Sequence, residues 1–224
     1  MPMKGSGGTS LAEIDRHDGG VGWLAHPDEE MQRASHALAT DEGVYLVDPV
    51  DADGLDDLLA ELGEVAGCLV LLDRHNRDAD AIARRHDATV YRPAWMDGID
   101  SNYLAPVEDL GTRLGDTGYE VYQLYDTPVW REAYLYHPED RTLVVSEALG
   151  TAAYFRAGDE RVGVHPMLRM TPPRELADYD AERLLVGHGR GVTTDAGSAV
   201  RDAIDGSRRR APTAYLQALR GMLG

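Results

Sequence analysis

The stretch from Gly67 to Pro93 constrains the fold more than any other part of the chain. It opens as an unbroken apolar run, Cys68-Leu69-Val70-Leu71-Leu72, and turns polar at once in Asp73-Arg74-His75-Asn76-Arg77-Asp78. Ala79, Ile82 and Ala83 then recur at helical spacing, and Ala88 to Tyr91 reads as a second short strand. A buried strand that runs into charged, potentially ligating side chains and then a helix is a common way to build an α/β site. The strand fixes the backbone, and the loop at its carboxyl end presents the chemistry.

The pattern extends upstream. Gly43 to Val47 is a strand that ends in Asp48 and is stopped by Pro49. Asp53 reads as an N-cap for a helix carrying Leu55, Leu58, Leu59 and Leu62, closed by Gly63. Val65 to Leu72 is the next strand and Asp78 to His86 the next helix, so the run predicts a parallel α/β unit. Before it, Met1 to Ser10 is expected to be a flexible start, Gly19 to Leu24 a turn and strand, and Glu29 to Ala39 a short helix. After Pro93 the character changes. Trp95 to Asp116 is irregular, and Tyr119 to Leu124 alternates as a half-buried strand. Glu132 to Tyr136 and Thr142 to Ser146 pair across the turn His137 to Arg141. A helix is expected from Thr171-Pro172-Pro173 to about Tyr179, and a short strand, Arg183 to Val186, ends in Gly187-His188-Gly189. Two helices close the chain. One is capped by Thr194 or Asp195 and carries Ala199, Val200, Ala203 and Ile204; the other runs from Pro212 to Leu223, with Tyr215, Leu216, Leu219 and Met222 on one face. That last face suits either docking within the chain or a homodimer. No linker divides the sequence, so residues 1–224 are expected to form one domain.

Charge narrows the partners. The net charge is −17, from 39 acidic against 22 basic residues, and Lys4 is the only lysine. A phosphate backbone would be repelled, so nucleic acid is not an expected partner. The acid is spread along the chain, which we read as solvation for high salt, where the Debye length falls to ~3 Å at 1 M and self-repulsion is screened. Cys68 is the only cysteine and lies in an apolar run, so it reads as a buried, inert thiol. The N-terminal residues lack the apolar core of a signal peptide, and no apolar run approaches the ~20 residues of a membrane span, so a cytoplasmic protein with no membrane partner is expected.

The order of these features resembles the metallo-β-lactamase-fold hydrolases, over roughly Gly43 to Ile204. A strand ends in Asp48, the next runs into a His-containing loop, a hairpin ends in an acid, and a late strand ends in Gly-His-Gly. The resemblance implies an α/β fold, a four-layer αββα sandwich, and metal-activated water attacking an ester, thioester, amide or phosphoester. In that family the loop reads HxHxDH. Here its positions are Asp73, His75, Arg77 and Asp78; the mid-chain His falls near Trp130 in Thr127-Pro128-Val129-Trp130, the bridging Asp at Glu147, and the last His at His188. Carried over, the ligand set is Asp73, His75, Asp78, Glu147 and His188. Arg77 would put a fixed positive charge where the family has a ligand.

Two readings stay open. In one, these five residues form a rewired site for one divalent metal (Zn, Fe or Mn) in a hydrolase. In the other, no metal binds, and the carboxylates pair with Arg74 and Arg77 in a non-catalytic member that uses the old cleft for a small molecule or a structural role. Loss of both the mid-chain His and the motif's Asp argues against dinuclear chemistry and puts the degenerate reading ahead. The other candidates have simpler roles. His36 reads as packing or capping and His26 as a turn residue; His17, His86, His137 and His165 read as surface residues. Ser146 lacks a nucleophile elbow, Gly187-His188-Gly189-Arg190-Gly191 lacks the Lys-Ser/Thr of a phosphate loop, and Arg208-Arg209-Arg210 reads as a local counterion cluster.

Overall fold

The computed structural model describes residue 3 and residues 10–223, with side chains up to residue 217. The flexible start expected over Met1 to Ser10 therefore lies, but for Met3 and Ser10, outside the described residues, as do the side chains of Leu219 and Met222.

Two sheets face each other. The first has seven strands whose order in the sheet is their order in the chain: β1 (Ala12–His17), β2 (Gly20–Leu24), β3 (Ala34–Thr40), β4 (Gly43–Val47), β5 (Val65–Leu69), β6 (Thr89–Pro93) and β7 (Val107–Leu110). β1 to β4 are antiparallel; β4 to β7 are parallel, as the central stretch requires. The crossovers are α1 (Leu55–Ala60) and α2 (Ala79–Arg85). Leu55, Leu58, Leu59, Ile82 and Ala83 cover Val44, Leu46, Cys68, Val70 and Val90 on the outer face. The second sheet contains β8 (Glu120–Thr127), β9 (Trp130–His137), β10 (Thr142–Val145) and, paired parallel to β10, a late strand (Arg183–Val186). Between β10 and that strand lies a short ribbon of β11 (Leu149–Gly150) and β12 (Gly163–Val164), so the late strand is β13. Val186, Leu184 and Leu143 pack outward on Ala196, Val200 and Ile204 of the closing helix α3 (Ala196–Leu223). Leu38, Tyr45, Val47, Leu69 and Leu71 meet Val121, Ala133, Leu135, Val144 and Leu185 between the sheets. The layers are thus helix, sheet, sheet, helix.

The sheets are also stitched by backbone hydrogen bonds at two places. Ala133 N donates to Leu71 O (2.7 Å) and Asp73 N to Arg131 O (3.2 Å). On the other side, Ala34 N donates to Gly187 O (2.9 Å) and Gly189 N to Gln32 O (2.8 Å).

Four local expectations are corrected. The helix expected over Glu29 to Ala39 is instead the strand β3 from Ala34 onward. β3 is hydrogen-bonded on both sides, to β2 and β4, and that pairing overrides the helix preference of alanine and leucine. Within the irregular stretch, β7 forms because Val107 and Leu110 pair with β6 at the sheet edge. The two closing helices are one, with Pro212 inside. The ring forgoes one helical hydrogen bond, while buried Ala211 and Ala214 on either side keep the helix docked. The helix expected after Pro173 is a single 3-10 stretch, Arg174–Asp178. No helix among the described residues is long and apolar enough to cross a membrane.

Candidate metal centre

Asp48, the loop after β5, Ser146-Glu147 and Gly187-His188-Gly189 all lie at carboxyl ends of strands, and the two stitches bring them to one rim. His75, Glu147 and His188 converge there. One ligand-capable atom of each lies within 4.8 Å of the others, and all three residues are buried.

The two imidazoles are oriented alike. His75 Nδ1 faces Asp48 Oδ2 at 3.1 Å, and His188 Nδ1 faces the Met31 carbonyl at 2.9 Å. Both partners are acceptors, so Nδ1 carries the proton and Nε2 keeps its lone pair in each ring. His188 Nε2 is buried without a hydrogen-bond partner. Burial holds both rings below the usual histidine range, helped by the charge of Arg77. They are neutral, the form in which imidazole ligates.

Asp48 is the hub beneath His75. Its Oδ1 accepts from Leu71 N (3.1 Å) and its Oδ2 from Ser146 Oγ (2.5 Å) as well as from His75. Burial would raise its carboxyl, but the hydrogen bond from His75, the charge of Arg77 and the bond from Ser146 hold it below the usual range. Asp48 and Arg77 both adopt the left-handed region, at φ 45° and 40°, a strain the surrounding bonds must maintain. Gly187 is required beside them, because a Cβ there would collide with the Ser146 carbonyl.

Glu147 is held from several sides. Its backbone N–H donates to Glu132 Oε1 (2.7 Å), and Arg74 Nε donates to its Oε2 (3.0 Å). His75 Nε2 lies 3.8 Å from Oε2, and His165 Nε2 lies 3.7 Å from Oε1. His165 Nδ1 accepts from Met167 N, which leaves the proton on Nε2, facing Glu147. Burial lowers the His165 imidazole to about 4, so it is neutral as well. The expectation that His165 is a surface residue is therefore corrected: it is 5% exposed and packs edge-on to Trp130 at 4.9 Å. His36 is buried, as a packing role requires, with Nε2 on the Val186 carbonyl.

The remaining positions fall elsewhere. Asp73 does not join the three converging residues. Asp78 precedes α2, and its Oδ2 accepts from Asp51 N (2.9 Å). Arg77 pairs with carbonyls, donating to Ala34 O (2.5 Å), Asp48 O (2.7 Å) and Gly187 O (3.0 Å). Trp130, where the resemblance places a histidine, carries the Arg74 guanidinium over its ring at 4.2 Å.

No protein-family model and no curated protein matches the sequence. Solved structures match over most of the chain. The DIM-1 metallo-β-lactamase exposed to ceftazidime aligns at TM-score 0.62 and 12% identity, covering 93% of this chain and 100% of that one. The metallo-β-lactamase from Pontibacter korlensis aligns at TM-score 0.63 and 13% identity, covering 88% and 99%. The protein TTHA1623 in a di-iron-bound form aligns at TM-score 0.54 and 21% identity, covering 75% and 93%. The chain has the metallo-β-lactamase fold, with a sequence that shares little with those of these structures.

Proposed function

We propose that this protein is a rewired metallo-β-lactamase-fold hydrolase whose centre takes one divalent metal, held by His75 Nε2, His188 Nε2 and the Glu147 carboxylate. The observation that carries this reading is the pair of Nε2 lone pairs facing a shared space, both Nδ1 atoms being already engaged. An orphaned, buried, neutral nitrogen such as His188 Nε2 is costly unless something binds it. Two imidazoles and one carboxylate suit Zn or Fe, with Mn as a third candidate, and leave positions open. Such an ion would supply a polarised water and a Lewis acid toward an acyl or phosphoryl oxygen.

The chain's own residues set the rest. Asp48 fixes the ring of His75. His165 presents Nε2–H to Glu147 and packs edge-on against Trp130. Asp73 and Asp78 have no part in this set, and Arg77 acts behind it through three carbonyls.

A second reading has its own observation. Arg74 already neutralises one oxygen of Glu147, as in a non-catalytic member whose cleft holds a small molecule. Metal content separates the two. Protein purified without a metal-binding tag is analysed by elemental mass spectrometry, as wild type and as the His75→Ala/His188→Ala double variant. About one equivalent of metal, lost in the variant, supports the rewired centre and directs a hydrolase screen in high salt. No metal, even after incubation with excess Zn, Fe or Mn, overturns it in favour of the non-catalytic reading.

A further inference from the structure

One cavity stands apart from the acidic character of the chain. It has a volume of about 480 Å³ and is lined by Arg156, Arg161 and Arg190 together with Thr151, Thr193 and Thr194. None of its lining residues is acidic. Other cavities follow the composition: one beside α1 carries Asp51, Asp53, Asp56 and Asp57, and one beside the β9–β10 turn carries Glu139 and Asp140.

Several arginines elsewhere in the molecule are held by carboxylates. Arg16, Arg33, Arg84, Arg85, Arg92 and Arg131 each pair with a carboxylate. In this cavity Arg161 donates to the Thr194 carbonyl (2.8 Å), which fixes it at the rim, and Arg156 and Arg190 have no carboxylate partner among the described residues. The first N–H groups of α3 are already bonded to Glu182 O and Ala181 O and the Thr151 hydroxyl to Arg190 O, so the donors left for a ligand are the guanidiniums and the hydroxyls of Thr193 and Thr194. Guanidinium forks match phosphate and carboxylate oxygens in pairs. Three of them around one space repel one another until an anion enters.

We infer that this cavity binds a small, multiply charged oxyanion, the phosphate or polycarboxylate part of a metabolite. The volume falls in the range of small-molecule sites. The cavity also backs onto the turn that carries His188: Arg190 and Gly191 follow it directly, and Thr151 Oγ1 donates to Arg190 O (2.5 Å). The inference stands on this cavity alone, whatever the metal content of the centre.

The test is calorimetric titration of protein stripped of metal and dialysed free of chelator, with pyrophosphate and separately with citrate. The buffer has the lowest salt at which circular dichroism shows the fold intact. At least one anion should bind with a stoichiometry of one. Pyrophosphate alone identifies a phosphorylated ligand, and citrate alone a polycarboxylate. Arg156→Ala/Arg190→Ala should weaken binding tenfold or more, and Arg156→Lys/Arg190→Lys should restore only part of it, because an ammonium lacks the fork. Arg84→Ala, on α2, should leave binding unchanged. Failure of both anions to bind, or binding that survives Arg156→Ala/Arg190→Ala, overturns the inference. Because the metal is removed first, either result leaves the proposed centre to be judged on its own experiment.

Discussion

Glu132 lies fully buried beneath Glu147, and its carboxylate accepts from Glu147 N, Ala148 N and Trp130 Nε1. Burial raises its carboxyl to about 7 against the pull of those three donors. Glu132→Ala would leave all three donors unpaired, so we expect a loss of about 3 kcal/mol in urea denaturation. An unchanged midpoint would show that the pocket rehydrates freely. Arg74 is the opposite case. Its side chain is 41% exposed, and a pair of that kind contributes about 1 kcal/mol or less. Arg74→Ala should free Glu147 and tighten zinc binding about threefold to tenfold in calorimetry; weaker binding would mean that Arg74 supports the centre. His75, Glu147 and His188 were legible in the sequence because each follows a strand that its own residues announce. His165 was not. It follows the two-residue strand β12, and its partners Glu147 and Trp130 become neighbours only in space.

Arg77 works between elements. Its guanidinium reaches the start of β3, the residue after β4 and the residue after β13, so one side chain ties both sheets at the rim. The sequence predicts a charge intruding on a ligand position, but its left-handed backbone, φ 40°, is visible only in three dimensions. Arg77→Met should cost about 3 kcal/mol in thermal or urea unfolding, because three carbonyls lose a charged donor at once. Arg77→Lys should recover part of that, an ammonium being unable to span the three acceptors. A Met variant as stable as wild type would remove Arg77 from this role. Elements were legible where they carry their own signal. β4, β5, α2 and the β9–β10 hairpin follow from apolar runs, helical spacing and turns. β3 was not, because Ala34-Ser35-His36-Ala37-Leu38 has the composition of a helix and becomes a strand only between two others.

At the scale of the whole molecule, charge sets the response to solution conditions. His17 and His165 are lowered to about 4, and His36, His75 and His188 are also lowered, in each case first by burial. A lowered histidine contributes stability above its unfolded value of about 6.5, and loses it as pH falls toward the folded value. His165 alone accounts for about 3 kcal/mol by pH 4. Glu132 has the other sign. Raised to about 7, it favours the folded state below about 4.5, and that favour is lost as pH rises from 4.5 through 7. It offsets about one histidine, so the urea midpoint of metal-free protein should fall steadily from pH 6.5 to 4.5; a flat profile would refute this balance. The net charge of −17 predicts that molar KCl raises the same midpoint by screening self-repulsion, and a midpoint indifferent to salt would count against the high-salt reading.

The identity of strand order and chain order in the first sheet bears on how the molecule is made. A ribosome releases β1 to β7 in the sequence in which they pair, so each new strand finds its neighbour already in place and that half can be laid down vectorially. The centre cannot. Gly187 must return to Arg77 across 110 residues and Val186 to His36 across 150, so histidines and carboxylate meet only when the last strand has emerged. Until then His75 sits at an open edge, and the three side chains proposed to hold a metal are not yet assembled.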